Sequence, residues 1–390
     1  MQDKDVTFIV LGATGNLAFL KIWPAFCSLF EKNKLGTNPQ FIAFGRKKMT
    51  RALFCESIRA GLGTYDDVTI SRFFAHIEYC EGDLQDANSF VQLKDKIKHH
   101  NVFTHFCITP EYYRTVIQNI GNASIATKIL LEKPFGKSSE DAKGLFEIIK
   151  KYFSPDSVYL VDHYLGKKGL RTIIEKRIND PLFDTELNNQ SISSLECHFF
   201  EDFGIHNRGG FYDNTGAYLD VGGNHILLML LAFIEKKENL KIGVWGKALS
   251  LLSHPHIFVT GQYEGYLSEK DIPSSSLTET YFKIKLQTED ALWQGVDIVL
   301  EGGKELCVKK SEVIVSFKDG TKEVFDIDGD RGYNSYEAIF EAIIGGASGF
   351  TLSMTDILAF NAFNDRVLSM KPQKPIIYKK GVCEVISPSK

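Results

Sequence analysis

The stretch that decides the fold is "VTFIVLGATGNLAFLK", residues 6–21. An apolar run with strand composition leads into a glycine-containing turn, and a segment with helical composition follows. The spacing Gly12-x-x-Gly15-x-x-Ala18 is a variant of the dinucleotide-binding fingerprint, in which small residues allow a tight turn and a close approach of the backbone to a pyrophosphate. The free N–H groups at the start of the helix can then hold phosphate oxygens. The sequence therefore predicts a nucleotide-binding strand–turn–helix unit near residue 12.

The rest of the first 160 residues repeats the alternation of short apolar runs with helix-like segments. The further predicted strands are "QFIAFG" (40–45), "HIEYCEG" (76–82), "VFTHFCIT" (102–109), "ATKILLEKP" (126–134) and "VYLVDHYL" (158–165). Strands that are separated by helices indicate a parallel sheet with helices on both faces. We therefore predict an α/β, Rossmann-type doubly wound domain over residues 1–160.

The composition changes after about residue 180. Strand-like runs separated by turn residues become frequent, and residues 241–252, "KIGVWGKALSLL", are among those predicted as strands. Within 217–236 a strongly apolar helix is expected, and Asn224 and His225 are predicted to begin it. Two further helices are predicted at about 333–346 and 354–370. Residues 161–390 are thus expected to form an α+β domain with a large, mostly antiparallel sheet.

The composition excludes several classes of function. A formal net charge of −4 with 24% charged residues is not that of a nucleic-acid-binding protein, and no apolar run approaches the length of a membrane span. The seven cysteines are scattered, with no Cys-x-x-Cys pair and no zinc-type spacing, so we expect buried thiols in a reducing compartment and no metal site. A cytoplasmic location is expected.

Basic residues follow the second predicted strand and favour NADP over NAD. An NAD enzyme usually ends this strand with an acidic residue that holds the ribose hydroxyls. Here the strand is followed by Arg46, Lys47 and Lys48. A guanidinium group can bind a 2′-phosphate in bidentate fashion, whereas a carboxylate would repel it. The alternative interpretation is a solvated basic turn, which is common on any surface.

Two further stretches carry polar residues at places where a doubly wound sheet binds its ligands. Lys133 precedes Pro134 at a strand end, and we predict that this peptide bond is cis. Asp162 and His163 lie side by side in "YLVDHYLGKKGL", residues 159–170. If this stretch is an extended strand, successive side chains point to opposite faces, so Asp162 is badly placed to orient His163. A distant histidine is then the better partner for Asp162.

Five motifs in the same order resemble the glucose-6-phosphate dehydrogenase family. They are "GATGNLA" (12–18), "EKPFG" (132–136), "DHYLGK" (162–167), "RGGFYDNTGA" (208–217) and "NH" followed by leucines (224–228). Weaker similarity continues towards the end of the chain. The resemblance implies NADP-dependent oxidation of glucose 6-phosphate at C1 to 6-phosphogluconolactone, the reaction that opens the pentose phosphate pathway.

The resemblance also implies a role for each matching residue. His225 is expected to be the general base, Asp162 to orient it, and Lys133 to lie between cofactor and substrate. Residues expected to bind the sugar phosphate are His163, Tyr164, Lys167, Glu201, Asp220 and Lys304. Residues expected to bind the cofactor are Gly12, Thr14, Gly15, Asn16, Leu17, Arg46 and Lys133. A phosphate dianion is bound by hydrogen-bond donors and positive charge, and residues 163–167 supply both.

Some positions depart from the family pattern. Glu301 and Gly302 replace an arginine and a threonine, His206 replaces a glutamate and Leu219 replaces an arginine, which predicts a changed charge near the sugar. One alternative is a sugar dehydrogenase of the glucose–fructose oxidoreductase type that acts on another sugar or amino-sugar phosphate, since the "EKP" stretch and "GAYLDVGGNH" (216–225) resemble that group as well. Another is a non-catalytic sensor of NADP or a sugar phosphate. The resemblance implies a homodimer or homotetramer formed through the second domain.

Overall fold

The computed structural model describes residues 5–136, 138–206, 208–329, 332–347 and 349–385. Its strands are β1 Val6–Leu11, β2 Gln40–Gly45, β3 Ile77–Glu81, β4 Asn101–Phe106, β5 Lys128–Glu132, β6 Val158–Val161, β7 Ile192–Phe200, β8 Ile257–Tyr263, β9 Tyr281–Leu286, β10 Asp297–Gly303, β11 Lys310–Phe317, β12 Lys322–Asp326 and β13 Ile376–Tyr378.

The α-helices are α1 Trp23–Glu31, α2 Arg51–Arg59, α3 Asp67–Ala75, α4 Ala87–Lys94, α5 Tyr113–Asn122, α6 Ser139–Tyr152, α7 Lys168–Asn179, α8 Pro181–Glu186, α9 Gly209–Tyr212, α10 Leu227–Ile234, α11 Lys237–Lys241, α12 Ser335–Gly345 and α13 Met354–Leu368. Two π-helical segments, Ala18–Ile22 and Tyr218–Ile226, lead directly into α1 and α10. No helix of the described residues has both the length and the apolar composition required to cross a bilayer.

The chain forms two compact units. The first contains the residues up to Gly166 together with Asn334–Met354, and the second contains Lys167–Tyr333 and the residues from Thr355 onward. The sequence predicted one boundary near residue 160 and did not predict that residues 334–354 return to the first unit.

The first unit is built on a six-stranded sheet in the order β3-β2-β1-β4-β5-β6. Every neighbouring pair is parallel. β1 and β2 are buried along their whole length, as expected for strands that are covered on both faces. β2 and β3 lie on one side of β1, and β4, β5 and β6 lie on the other, so the order in which strands are added reverses between β1 and β4. Such folds bind nucleotides at this point. The predicted doubly wound Rossmann-type domain is confirmed.

Aromatic packing explains why α12 belongs to the first unit. The ring of Phe340 lies 4.6 Å from that of Phe26 on α1 and 5.6 Å from that of Phe8 on β1, measured between centroids. The side chain of Asn334 caps α12 by accepting from the N–H of Tyr336, and its amide donates to the Lys21 carbonyl at 2.7 Å. A helix that lies late in the sequence thus completes the core around β1.

The second unit is built on a seven-stranded sheet in the order β12-β11-β7-β10-β9-β8-β13. Four of its neighbouring pairs are antiparallel, while β7 pairs with β10, and β8 with β13, in parallel. The fully buried helix α10 contacts β7. The prediction of an α+β domain with a large, mostly antiparallel sheet is confirmed.

Three local predictions are wrong. β6 ends at Val161, and His163–Gly166 form a 3₁₀ turn, so the argument from alternating strand side chains does not apply to Asp162 and His163. Helical structure precedes Tyr218, so Asn224 and His225 lie inside the helix and do not begin it. Residues 241–252 form turns and a 3₁₀ segment, because the Asp356 carboxylate binds the N–H groups of Trp245 and Gly246 where a neighbouring strand would otherwise do so.

The prediction that all cysteines are buried thiols is also wrong for two of them. Cys307 and Cys383 are exposed and form a disulfide with a Cα–Cα distance of 4.9 Å. The two cysteines lie 76 positions apart in the sequence, so their spacing did not reveal the disulfide. Cys27, Cys55 and Cys80 are buried, as predicted.

Candidate functional site

The turn after β1 has the backbone geometry that a dinucleotide fingerprint requires. Gly12 has φ = 74°, and a Cβ atom there would lie 2.3 Å from the carbonyl oxygen of Cys107 at the end of β4. The N–H groups of Gly12 and Ala13 both donate to the Phe44 carbonyl, which fixes the turn to the end of β2. Only glycine readily adopts this positive φ and also leaves room for the Cys107 carbonyl. The helical turn that begins at Asn16 then presents its first N–H groups at the same edge of the sheet.

A cavity of about 440 Å³ opens beside this turn within the first unit. It is lined by Gly12, Thr14, Gly15 and Arg46, four of the residues predicted to bind a cofactor. Arg46 is exposed and directly follows β2, where a carboxylate would select NAD. A nucleotide therefore fits these residues: small side chains line the phosphate end, and a cation stands at the ribose end. Asn16 and Leu17 lie at the helix start and do not line the cavity.

Lys133 lies at the end of β5, and its peptide bond to Pro134 is cis, as predicted. The preceding residue, Glu132, belongs to a buried polar network that sequence reasoning missed. Its carboxylate accepts a hydrogen bond from the His105 ring at 2.8 Å, and its carbonyl accepts one from the Tyr113 hydroxyl at 2.7 Å. These bonds satisfy polar groups at the buried end of β5 and fix the backbone from which Lys133 projects.

The turn after β6 holds Asp162, His163 and Tyr164 in the first unit. Asp162 is 2% exposed, and one of its carboxylate oxygens accepts from the N–H of Tyr164 at 2.9 Å. The side chain thus ends the strand by bonding its own backbone two residues ahead. The His163 ring stacks on Tyr336 of α12, with 6.2 Å between centroids and an interplanar angle of 14°. Burial raises the pKa of Tyr336, and the charges of Glu132 and Asp162 raise it further.

Three of the predicted substrate residues meet in the second unit. β7 and β10 are adjacent and parallel, so Glu201 and Lys304 project from the same edge of the sheet. The Lys304 ammonium binds the Glu201 carboxylate and lies 3.5 Å from a carboxylate oxygen of Asp220 on the π-helical segment. Lys304 is 2% exposed. The structure therefore brings Glu201, Asp220 and Lys304 together, and we call them the carboxylate–lysine cluster.

Tyr212 adds a group to this cluster that sequence reasoning missed. The Lys304 ammonium lies 5.3 Å from the centroid of its ring, which is fully buried. The Tyr212 hydroxyl has no hydrogen-bond partner among the described residues. Burial raises its pKa, and the charge of Asp220 raises it further, so the phenol stays protonated and can donate. Its place in "RGGFYDN", directly before Asp213, is the only sequence signal that could have indicated it.

His225 lies within the π-helical segment of the second unit and is 4% exposed. Its ring stacks on Phe199 of β7 with 6.2 Å between centroids. A close fit fixes the segment: a Cβ at Gly222 would lie 2.5 Å from the Phe282 ring, and one at Gly223 would lie 2.7 Å from the Asn364 amide. π-helical insertions of this kind are frequent at functional sites. Gly222 and Gly223 therefore allow the segment to pack closely against β9 and α13.

The altered charge at Glu301 does not belong to the carboxylate–lysine cluster. Side chains alternate along β10, so Glu301 and Lys304 point to opposite faces of the sheet. The Glu301 carboxylate accepts from the Tyr281 hydroxyl at 2.6 Å and pairs with Lys283 at 3.0 Å. Glu301 thus takes no part in the cluster, and the expectation that this replacement changes the charge near the sugar stays a prediction.

Lys167 is the first residue of the second unit and directly follows the turn that holds His163 and Tyr164. Its ammonium group pairs with the carboxylate of Asp328, beyond the end of β12. Both side chains remain partly exposed, at 25% and 33%. An anion that binds Lys167 must therefore compete with this carboxylate.

The first unit, with its cavity beside the glycine turn, has the features of a Rossmann-type domain that binds a dinucleotide. Comparison with known families specifies the class further. The model described as "Glucose-6-phosphate dehydrogenase, NAD binding domain" matches residues 9–171, and the one described as "Glucose-6-phosphate dehydrogenase, C-terminal domain" matches residues 174–340. The chain belongs to the glucose-6-phosphate dehydrogenase family.

Individual relatives agree with this assignment. A glucose-6-phosphate 1-dehydrogenase of Cyberlindnera jadinii is 30% identical over 350 residues, which cover 82% of this chain and 70% of that protein. The cytoplasmic glucose-6-phosphate 1-dehydrogenase 5 of Arabidopsis thaliana is 29% identical over 368 residues, covering 86% and 71%. A solved structure of glucose-6-phosphate dehydrogenase in complex with its substrate has the same fold, with a TM-score of 0.88 at 21% identity over 98% of this chain and 96% of that one.

Proposed function

We propose that this protein oxidises glucose 6-phosphate at C1 to 6-phosphogluconolactone, the reaction that opens the pentose phosphate pathway. The observation that carries the proposal is the carboxylate–lysine cluster, found in a chain of the glucose-6-phosphate dehydrogenase family. Carboxylates accept hydrogen bonds from sugar hydroxyls, and the lysine between them donates to a sugar oxygen. Glu201, Asp220 and Lys304 would thus orient the sugar ring so that C1 faces the cofactor.

The cofactor in this proposal is NADP. When bound, its nicotinamide ring accepts the hydride that leaves C1. Gly12, Thr14 and Gly15 would contact the pyrophosphate beside the start of the helix, and Asn16 and Leu17 would contribute their backbone N–H groups. Arg46 would bind the 2′-phosphate, since the residues that directly follow β2 are basic. The Asp83 carboxylate lines the same cavity. Lys133 would contact both cofactor and substrate from the end of β5.

His225 acts as the general base in this scheme. Its imidazole takes the proton of the C1 hydroxyl as the hydride leaves, and the ordinary pKa of histidine, about 6.5, suits this transfer near neutral pH. The stacking on Phe199 and the close packing of the glycine pair hold the ring in one orientation. Asp162 would accept from the far ring nitrogen and stabilise the imidazolium that forms. His163, Tyr164 and Lys167 would bind the phosphate of the substrate.

A panel of sugar phosphates, each assayed with NADP and with NAD, tests the proposal. NADPH formation is followed by absorbance with glucose 6-phosphate, glucosamine 6-phosphate and free glucose. We expect the highest kcat/KM for glucose 6-phosphate with NADP. A higher kcat/KM for the amino sugar would favour the related sugar-phosphate dehydrogenase instead, and comparable turnover of free glucose would contradict the phosphate-binding roles. Tight NADP binding without turnover of any of them would favour a sensor.

We also propose that the protein associates as a homodimer or homotetramer through the outer face of the second sheet. That face carries a set of charged side chains that pair with one another: Glu196, His198, Lys283, Glu301 and Glu312. Glu196, Lys283 and Glu312 remain partly exposed and could meet a second copy. A cytoplasmic location is proposed on the example of the Arabidopsis relative, which is named as cytoplasmic. Light scattering after size exclusion tests the assembly. A monomer at micromolar concentration would contradict it, and Lys283→Glu should shift the equilibrium towards monomer.

A further inference from the structure

We propose that Tyr79 on β3 is a positioning residue that fixes Arg46 for contact with the 2′-phosphate of the cofactor, and that it thereby contributes to a preference for NADP over NAD. The part that concerns the cofactor rests on the proposed function, whereas the part that concerns the local structure does not. Residues 46–48, with the sequence Arg-Lys-Lys, are called the basic turn here. All three are exposed, and the first two line the cavity beside Gly12.

The Tyr79 hydroxyl contacts the backbone on both sides of Arg46. It donates a hydrogen bond to the Lys47 carbonyl at 2.5 Å, and the Gly45 carbonyl lies 3.2 Å from the same oxygen. A hydroxyl carries one proton, so the two carbonyls share a single donor, and the Lys47 carbonyl is the nearer of the two. One side chain thus contacts the residue before Arg46 and the residue after it.

The basic turn has little other support. The Gly45 carbonyl also accepts from the N–H of Gly82 at 3.1 Å, which holds the end of β2 to the residue after β3. Among the residues that the structure describes, the backbone of residues 46–48 makes no hydrogen bond besides the one from Tyr79. An exposed turn that loses such a contact gains backbone freedom, and this freedom must be lost again when a ligand binds. The position of the Arg46 backbone therefore depends on Tyr79.

Packing against the core of the first unit holds the Tyr79 ring in place. The ring lies 5.3 Å from that of Phe54 on α2, measured between centroids, and Phe54 is fully buried. A Cβ atom at Gly45 would lie 3.3 Å from the Tyr79 hydroxyl, so the glycine allows the phenol to approach the end of β2 closely. Burial raises the pKa of the Tyr79 phenol, and the charge of Glu81 raises it further. The hydroxyl therefore stays protonated near neutral pH and acts as a donor.

A fixed basic turn favours the cofactor that carries a 2′-phosphate. A guanidinium group binds a phosphate in bidentate fashion only in a defined orientation, and a site that already has this orientation loses less entropy on binding. NAD has a hydroxyl group at the 2′ position, so its binding does not depend on Arg46. Tyr79 lies behind the turn and does not line the cavity, so it acts through Arg46 and not by contact with the cofactor.

Limited proteolysis with trypsin tests the local structure without any ligand or enzymatic assay. Trypsin cleaves after Arg and Lys, and mass spectrometry follows the cleavage within the exposed basic turn. We expect Tyr79→Phe to be cleaved there about two- to tenfold faster than the unaltered protein, the effect of losing one hydrogen bond. Tyr159→Phe, on β6 at the opposite edge of the same sheet, is the matched control and should be cleaved at the unaltered rate. An unaltered rate for Tyr79→Phe would overturn the proposal.

Binding of the reduced cofactors tests the role of Tyr79 in selectivity, again without turnover. NADPH and NADH differ only in the 2′-phosphate, and their own fluorescence reports binding to the full chain. We expect Tyr79→Phe to raise Kd for NADPH by about two- to tenfold and to leave Kd for NADH unchanged. Tyr159→Phe should change neither value. Equal changes in Kd for the two cofactors, or no change in Kd for NADPH, would overturn the proposal.

Arg46→Ala separates a failure of this inference from a failure of the proposed NADP site. If Arg46→Ala weakens NADPH binding selectively and Tyr79→Phe does not, the NADP site stands and the inference about Tyr79 fails. If Arg46→Ala affects NADPH and NADH equally, the proposed NADP site fails, and the proteolysis still decides whether Tyr79 fixes the turn. The double variant should bind NADPH as weakly as Arg46→Ala alone, because Tyr79 acts through Arg46. A further loss of affinity in the double variant would overturn the proposal.

Discussion

The ammonium group of Lys167 is paired with the carboxylate of Asp328, beside the turn that holds His163 and Tyr164. This pairing places a negative charge where we expect a substrate phosphate to bind. Asp328 therefore competes with the substrate. The ion pair therefore predicts that removal of the Asp328 carboxylate improves substrate binding, whereas most substitutions near a binding site weaken it.

Asp328→Asn should lower KM for glucose 6-phosphate by about two- to fivefold, the range expected for a partly exposed ion pair. Lys167→Ala should raise the same KM, because it removes a cation from the phosphate site. Initial rates of NADPH formation measure both effects. Asp319→Asn, in the exposed turn between β11 and β12, removes a like charge away from Lys167 and should leave KM unchanged. A rise in KM for Asp328→Asn would show that the carboxylate supports the site.

Arg46→Ala should raise KM for NADP by about tenfold or more and KM for NAD by less than twofold, since a hydrogen bond to a charged group contributes about 1.5–3 kcal/mol. The reason is that only NADP carries the 2′-phosphate. Initial rates with each cofactor provide the measurement. Lys151→Ala, which removes an exposed cation at the end of α6, is the control for net charge. Equal changes in KM for both cofactors would show that Arg46 is a solvated surface residue that does not bind the 2′-phosphate.

Phe340→Ala should lower the free energy of unfolding by about 3–5 kcal/mol, as for other buried phenylalanines. The ring is fully buried and packs on Phe8 and Phe26, so its loss leaves a cavity around β1. Urea denaturation measures the change. Leu20→Ala removes a side chain that is 59% exposed and should cost less than about 0.5 kcal/mol. Similar losses for the two variants would contradict the assignment of α12 to the core of the first unit.

The sequence predicted the elements whose signal is local. The apolar run of β1, the small residues around Gly12 and the alternation that follows are visible in a short window, and the structure confirms them. The cap of α6 is equally local, since the Ser138 side chain accepts from the N–H of Asp141, three residues further along the chain. The resemblance to the family, which extends beyond the five motifs, also located Glu201, Asp220 and Lys304, which the structure brings together.

What the sequence could not show depends on contacts between distant residues. The Asp162 side chain bonds the N–H of Tyr164, so β6 ends earlier than its apolar pattern indicates. In the sequence, Gly222 and Gly223 look like a break before a helix, yet they lie inside the helical segment. Phe282 and Asn364 pack so closely against these two positions that no larger side chain fits there. The position of Glu301 beside the sugar motif did not reveal that its side chain points to the other face of the sheet.

The assignment of His225 as general base is the central claim, and its substitution is the most direct test. His225→Asn should lower kcat for glucose 6-phosphate with NADP by about a hundredfold or more while changing KM little, since general bases typically contribute 10²–10⁴-fold. His256→Asn, at an exposed position of the same unit, should keep full activity. We expect His163→Asn to raise KM for glucose 6-phosphate and to retain turnover. Loss of turnover in His163→Asn together with near-normal kcat in His225→Asn would contradict this assignment.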